Sequence, residues 1–317
     1  MTVDRGDFAG LVAAEAGRQE SRPGLALDRA WQGLPLSAIR ADLTARLTAA
    51  GIDEAASDAR FLMERALHPA SLAVALGDPA PAAWQIIAAL ADLAVKRLAR
   101  QPLAQVLGDK PFWTLDLKVT RDVLTPRADT ETLVETVLRE IDDKSHALDI
   151  ADFGTGSGAI LLALLSEMSN AKGLGIDISE QVLAVARENA ERNNLANRTE
   201  FRTGNWADGL DDRCLDIAVS NPPYIASDVI AGLEPEVRDY EPRIALDGGR
   251  DGLEIYRRLL RELFRVLRPG GLMAVEIGFD QGRSVLDIAR AVGFKELKIA
   301  RDLGGHERIV SARRPMG

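Results

Sequence analysis

Leu148-Asp149-Ile150-Ala151-Asp152-Phe153-Gly154-Thr155-Gly156-Ser157-Gly158 joins an apolar run of strand length to a loop with a glycine at every second position. The apolar segment Gly158–Met168, with helical spacing, follows at once. Glycines at such a junction let the backbone turn tightly and come close to a ligand with no Cβ in the way. Gly154, Gly156 and Ala159 also satisfy the loose dinucleotide pattern, so NAD or FAD has to be weighed. Downstream, strand-like runs at Leu174–Ile178, Glu200–Thr203, Leu215–Val219, Leu272–Ile277, Leu297–Asp302 and Arg308–Ala312 alternate with helical segments, notably Glu180–Asn193 and Leu253–Leu267. Alternation of this kind predicts an α/β fold, a parallel sheet covered on both faces.

Upstream the period changes twice. From Phe112 to Leu124 short alternating segments (Trp113, Leu115, Leu117, Val119) predict a hairpin acting as a linker. Before it, three apolar stripes have helical spacing: Leu36, Ile39, Leu43, Leu47; then Ala59, Leu62, Met63, Ala66, Leu67; then Trp84, Ile87, Leu90, Ala94, Leu98. They predict a small helical domain over 34–103, a hairpin linker over 104–127 and the α/β domain over 128–317. Residues 1–33, broken by Ser21-Arg22-Pro23-Gly24, predict a mobile extension or a loose extra helix.

Composition narrows the classes. The 317 residues are 46 % hydrophobic and 27 % charged, the make-up of a soluble globular protein. Cys214 is the single cysteine, which excludes an internal disulfide. No apolar run approaches the ~20 residues of a membrane span, and a cytoplasmic protein is expected. A formal net charge of −9 does not suit a protein that grips nucleic acid through phosphates. The nearest basic stripe (Lys96, Arg97, Arg100, Lys110, Lys118, Arg121, Arg127) is equally readable as a solvated helix face plus linker. His68, His146 and His306 lie far apart, which argues against a zinc site or a histidine base.

Asp177, at the end of the second strand of the sheet, can accept hydrogen bonds from both ribose hydroxyls of an adenosine. It identifies an adenosine site without choosing the cofactor, and it is also readable as a structural aspartate before the helix from Glu180. Trp206, just after the third strand, is placed to lie against an adenine ring or to be a half-buried core residue. Ser220-Asn221-Pro222-Pro223-Tyr224, directly after the strand Leu215–Val219, carries the chemistry. Two prolines remove two backbone donors and fix the turn, leaving carbonyls free to face a cleft. Asn221 adds a side-chain carbonyl. The carbonyls of Asn221 and Pro222 can together bind both N–H groups of a planar amide or exocyclic amine. That turns a delocalised lone pair towards a methyl donor by positioning, without a strong base. Tyr224 can stack on the flat group.

With these motifs the chain resembles the HemK-type family of release-factor glutamine methyltransferases, over nearly everything after residue 34. The resemblance is carried by Asp152–Gly158 with Asp177 and the Asn221–Tyr224 turn. It extends to Arg100-Gln101-Pro102-Leu103 and Gly108; Phe112-Trp113; Val123-Leu124-Thr125-Pro126-Arg127 with Asp129-Thr130-Glu131; Tyr240-Glu241-Pro242; Glu276-Ile277-Gly278 with Gln281; and Asp302-Leu303-Gly304-Gly305-His306-Glu307-Arg308. It implies a helical substrate-recognition domain, a hairpin and a Rossmann-like, seven-stranded class I methyltransferase domain. It implies S-adenosylmethionine held by Gly154, Thr155, Gly156, Ser157, Gly158, Asp177, Trp206 and Asn221. It also implies a substrate glutamine, in the Gly-Gly-Gln loop of class I release factors, received by Asn221, Pro222, Pro223 and Tyr224, with Asn221, Pro222 and Tyr224 in the catalytic role. A monomer that keeps no stable nucleic acid and touches no membrane is expected. Two positions depart from the family: Asn205 stands where many members carry an acid, and Thr125 where isoleucine is common. Adenine-specific DNA enzymes share the turn but not the ensemble, so a DNA or RNA base methyltransferase is the alternative. A module that binds the cofactor without catalysis should have lost part of the turn, and a dinucleotide oxidoreductase leaves the turn unexplained.

Overall fold

The computed structural model describes residues 24–316 apart from 69 and 71. The chain divides into two compact units between Leu107 and Gly108.

The first unit is helical: α1 (Leu25–Trp31), α2 (Leu36–Ala49), α3 (Ala55–Leu67), α4 (Leu72–Gly77), α5 (Trp84–Leu98) and α6 (Leu103–Leu107). On α2 the expected stripe Leu36, Ile39, Leu43 and Leu47 is buried, as are Ala59, Leu62, Met63 and Leu67 of α3. Repeats of three and four residues put these side chains on one helix face. The stripe on α5 starts later than its spacing suggests. Ile87, Leu90 and Ala94 are buried, but Trp84 is 53 % exposed because it opens the first turn. Part of the expected extension is packed rather than loose. Trp31 is fully buried in this core, and its indole donates to Asp42 at 2.7 Å. Residues 1–23 of that expected extension lie outside the described residues. Of the basic run in this unit, Lys96 is exposed, but Arg97 and Arg100 are not a solvated face. Arg97 is buried against Asp58 at 2.7 Å, and Arg100 donates to the carbonyls of Ala50 and Gly51, at 3.1 and 2.8 Å.

The second unit begins with an antiparallel hairpin, β1 (Asp109–Phe112) and β2 (Leu115–Lys118). It is shorter than the expected Phe112–Leu124 because the chain reverses at Trp113, whose φ is +55°. Glu131 accepts from the Trp113 backbone at 2.9 Å and Glu167 from its indole at 2.8 Å, which holds the reversal. Then come α7 (Glu131–Arg139), β3 (Asp149–Phe153), α8 (Ala159–Glu167), β4 (Lys172–Asp177), α9 (Glu180–Arg192), β5 (Thr199–Thr203), β6 (Leu215–Ser220), α10 (Pro235–Arg238), α11 (Glu254–Val266), β7 (Leu267–Glu276), α12 (Gly282–Val292), β8 (Lys295–Arg301) and β9 (Glu307–Arg313).

The sheet has seven strands in the order β5-β4-β3-β6-β7-β9-β8. It is not wholly parallel, as expected from the alternation. β9 runs antiparallel to both β7 and β8. The cause is local: Asp302 and His306 close a short turn, with Asp302 N donating to His306 O at 3.0 Å, and a connection that short can only join antiparallel strands. Side chains alternate between two cores. Ile150, Ile217, Val219, Leu272 and Ala274 face one layer with α7 and α8. Ala151, Phe153, Ala218, Met273 and Val275 face the other, with Tyr256, Leu259, Leu260 and Leu263 of α11. Central strands buried on both faces leave ligand space only beyond their carboxyl ends.

Candidate active site

At the end of β3 the chain leaves through Gly154 (φ +72°), Gly156 (φ +56°) and Gly158 (φ +82°), all in the left-handed region where a side chain is strained. The loop hangs from β4. The backbone N–H groups of Gly154 and Thr155 both donate to Ile176 O, at 2.8 and 3.0 Å. Beneath it the fully buried Asp152 carboxyl accepts from the Thr155 hydroxyl at 2.8 Å, and its second oxygen has no partner. Burial pushes Asp152 up to about 7; the Thr155 bond pulls it back and neighbouring Asp177 raises it further. Asn189 of α9 donates to Ser157 O at 2.9 Å and accepts from Lys118 N at 2.6 Å, so the hairpin braces the same loop.

Asp177 ends β4. One of its oxygens accepts from Gly156 N and the other from Ser179 N, both at 3.2 Å. Burial raises its pKa against those bonds. A carboxylate oxygen has two lone pairs, so each keeps one acceptor site for a further donor. Trp206, half-buried at φ +56°, stands beside the loop: a Cβ on Gly154 would lie 3.6 Å from its ring. The glycine loop, Asp177 and Trp206 thus meet at the carboxyl ends of β3 and β4. A bare backbone, a carboxylate with two free acceptor sites and an indole fit the methionine, ribose and adenine parts of S-adenosylmethionine.

The Asn221–Tyr224 turn lies next to this crevice, because β6 pairs with β3 and Ser220 donates to Phe153 O at 2.6 Å. Asn221 is half-buried, and its Nδ2 donates to Thr130 Oγ1 at 3.3 Å. A hydroxyl can meet either end of an amide, and here Thr130 meets the NH₂ end. That leaves the Asn221 carbonyl oxygen, like the Pro222 carbonyl, without a hydrogen bond from the described residues. The Tyr224 hydroxyl donates to Glu276 at 3.3 Å, and burial beside that carboxyl raises its pKa. Gln281 donates to Tyr224 O at 3.0 Å and Gly252 O at 3.2 Å, and accepts from Gly278 N at 3.0 Å. Gly248 and Gly252 press directly on the turn; a Cβ on Gly252 would sit 2.4 Å from Tyr224 O.

Several residues quoted from the sequence without a role form bonds around this turn, Arg308 and Arg127 bearing on Tyr224 by their charge. Glu241, its side chain fully buried, pairs with Arg127 at 2.6 Å and accepts from Thr125 N at 3.4 Å. Arg308 pairs with Asp129 at 3.2 Å and Asp302 at 2.9 Å. Thr130, Glu276 and Gln281 touch the turn itself. The signal available for Glu276, as for Asp152, was an acid set in an apolar strand. Lys118 pairs with Glu188 at 2.5 Å, so in this unit, too, members of the basic run are held in structural ion pairs.

Residues 144–280 match a family model described as a methyltransferase domain, and residues 38–108 match the PrmC N-terminal domain. The release factor glutamine methyltransferase of Caulobacter vibrioides is 46 % identical over 265 residues, 84 % of this chain and 91 % of that protein. Its namesake from Cereibacter sphaeroides is 46 % identical over 274 residues, 85 % and 95 % of the two chains. That of Agrobacterium fabrum is 40 % identical over 272 residues, 85 % and 94 %. Identity at this level spans both units and nearly the whole of each relative, and it includes the stretch that carries the glycine loop and the Asn221–Tyr224 turn. This chain therefore belongs to the release factor glutamine methyltransferase family.

Proposed function

We propose that the Asn221–Tyr224 turn receives the side-chain amide of the glutamine in the Gly-Gly-Gln motif of a class I peptide chain release factor and methylates its nitrogen. The observation that carries this is the bond from Asn221 Nδ2 to Thr130, which leaves the Asn221 carbonyl beside the Pro222 carbonyl as a pair of unclaimed acceptors. S-adenosylmethionine, held by Gly154–Gly158, Asp177, Trp206 and Asn221, supplies an electrophilic methyl group when bound. The two carbonyls take the two N–H groups of the glutamine amide and fix its plane. Its lone pair, otherwise delocalised, then points along the line of transfer. The new N–C bond would form as the S–CH₃ bond breaks, leaving S-adenosylhomocysteine, and the nitrogen would then lose one proton to water, so neither carbonyl has to act as a strong base. Tyr224, its hydroxyl anchored to Glu276, offers its ring to the flat amide.

A pocket for one side chain is too small for selective protein binding, since specific complexes bury about 1,200–2,000 Å². The helical unit supplies further surface, and the exposed Trp84 is the kind of aromatic that anchors such contacts. Release factors work in the cytoplasm, so the enzyme would meet its substrate there, as a monomer. No described helix is long and apolar enough to cross a membrane.

The test is incubation with labelled S-adenosylmethionine and a release factor, the same factor with its target glutamine replaced, and DNA and RNA. Mass spectrometry should locate the label on the glutamine amide and nowhere in the substituted factor. Label on nucleic acid and none on the release factor would establish the base-methyltransferase reading instead.

A further inference from the structure

Glu276 ends β7 at the carboxyl edge of the sheet, in register with the end of β6, where Ser220 pairs with Val275. Its side chain is 2 % exposed. Methylation of an amide held by two neutral carbonyls gives a buried acid no obvious work, yet Tyr224 is bonded to it and Thr130, the partner of Asn221, bears on it. The Tyr224 hydroxyl donates to Oε1 at 3.3 Å. The Thr130 hydroxyl faces the same carboxyl group more loosely, leaving Oε2 without a close partner. The Thr130 oxygen in turn accepts from Asn221 Nδ2 at 3.3 Å. Tyr256 donates to the Glu276 backbone carbonyl at 2.7 Å, which fixes the strand end. The charged groups that bear on the carboxyl are Arg308, which favours its ionised form, and Asp129, which opposes it.

A carboxylate can only accept hydrogen bonds. The Tyr224 hydroxyl must point its hydrogen inward, and the Thr130 hydroxyl can meet the carboxylate only by donating to it. Thr130 then has only lone pairs to offer Asn221, and Asn221 meets them with its NH₂ group. Its carbonyl is left for the cleft. A donor at position 276 permits the opposite chain. Thr130 would accept from it and donate to Asn221, whose NH₂ group would then face the two N–H groups of the substrate. We infer that Glu276 is a positioning residue whose carboxylate sets the polarity of the chain through Thr130 and so keeps the Asn221 carbonyl facing the methyl-accepting amide. The inference rests on the reading that Asn221 receives that amide.

Protonation converts the carboxylate into such a donor. Burial pushes Glu276 up to about 7, with Thr130, Arg308 and Tyr224 pulling it down and Asp129 pushing it up. The working form is therefore present above about pH 7 and is lost as pH falls through that value.

The experiment measures kcat from pH 6 to 8.5, with cofactor and release factor saturating, for the wild type, Glu276→Gln, Thr130→Val, Thr130→Ser and Asn221→Ala. Cofactor affinity is measured on each by calorimetry. The wild-type kcat should fall about tenfold per unit below the Glu276 pKa, as for one essential ionised group. Glu276→Gln should lose that acid limb. Thr130→Val should lower kcat by about tenfold or more at every pH, Thr130→Ser should restore it, and cofactor affinity should stay within about threefold in the Glu276 and Thr130 variants. Asp152 also titrates near 7, but it lies under the glycine loop, and Asp152→Asn should keep the limb. An acid limb that persists in Glu276→Gln, or full turnover by Thr130→Val, overturns the inference. If Glu276→Gln does not fold, the Thr130 pair decides alone. Wild-type turnover by Asn221→Ala would instead remove the underlying reading of the site.

Discussion

Asp177→Ala tests the cofactor site most directly. Each Asp177 oxygen accepts one backbone N–H at 3.2 Å, from Gly156 and Ser179, and has one acceptor site left. The variant removes the remaining pair, the two positions assigned to the ribose hydroxyls. Hydrogen bonds to a charged group are worth about 1.5–3 kcal/mol. Taken as the total effect, that weakens S-adenosylmethionine binding by about ten- to a hundred-and-fifty-fold. The backbone bonds to Gly156 and Ser179 are also lost, but Asp177 is only partly buried and water can take its place. Asp177→Asn should be almost as damaging, although it is isosteric. Its NH₂ group must face either the Gly156 or the Ser179 N–H, donor against donor, and only one carbonyl remains for ribose. Calorimetry with S-adenosylmethionine and with its demethylated product would measure both variants, with circular dichroism reporting the fold. Wild-type affinity in a folded Asp177→Ala protein refutes the assignment. Wild-type affinity in Asp177→Asn refutes the argument that both oxygens are committed.

Asn221→Ala removes one of the two acceptors proposed for the substrate amide, so turnover should fall on the order of a hundredfold while the thermal midpoint hardly changes; steady-state kinetics and a melting curve check the pair. Asp152 has a folded pKa of about 7, above the ordinary carboxylate value, so its contribution to stability is complete below about pH 4 and is lost as pH rises through 7. Asp152→Asn should remove that loss, on the order of a few kcal/mol, and urea unfolding at pH 5 and pH 8 should show a smaller difference for the variant than for the wild type; equal differences would count against a buried charge. Trp84→Ala should raise KM for the intact release factor by about tenfold or more and leave a short Gly-Gly-Gln peptide unaffected, and equal effects on both substrates would remove Trp84 from the docking surface.

The parts of this molecule that could be read in the sequence are those where local geometry restricts residue type. Three left-handed positions at alternate residues demand glycine, and Gly154, Gly156 and Gly158 occupy them. A rigid turn with free carbonyls calls for proline, and Pro222 and Pro223 supply it. Strand direction leaves no such mark. Arg308–Ala312 alternates in the same way whether it runs up or down, and only the short Asp302–His306 turn required the reversal of β9. Helical spacing likewise says which face is apolar but not where burial starts, so Trp84 was placed in a core that begins at Ile87.

The residues behind the turn were harder to read, because their partners are remote in the chain. Asn221 meets Thr130 across 91 residues, and Tyr224 meets Glu276 across 52. A motif names the groups that touch the substrate, whereas the groups that aim them are scattered wherever the fold returns to that point. Neutral acceptors make the aiming decisive. A carbonyl has no charge to attract an amide from a distance, and an asparagine rotated by half a turn offers donors where acceptors are needed. A site of this kind has to fix side-chain polarity from behind. A buried group that accepts and never donates does so with the fewest alternatives. On that reading an acid can sit beneath chemistry that uses no acid, and two buried carboxyls, Asp152 and Glu276, lie under the glycine loop and the Asn221–Tyr224 turn, the parts that must hold still.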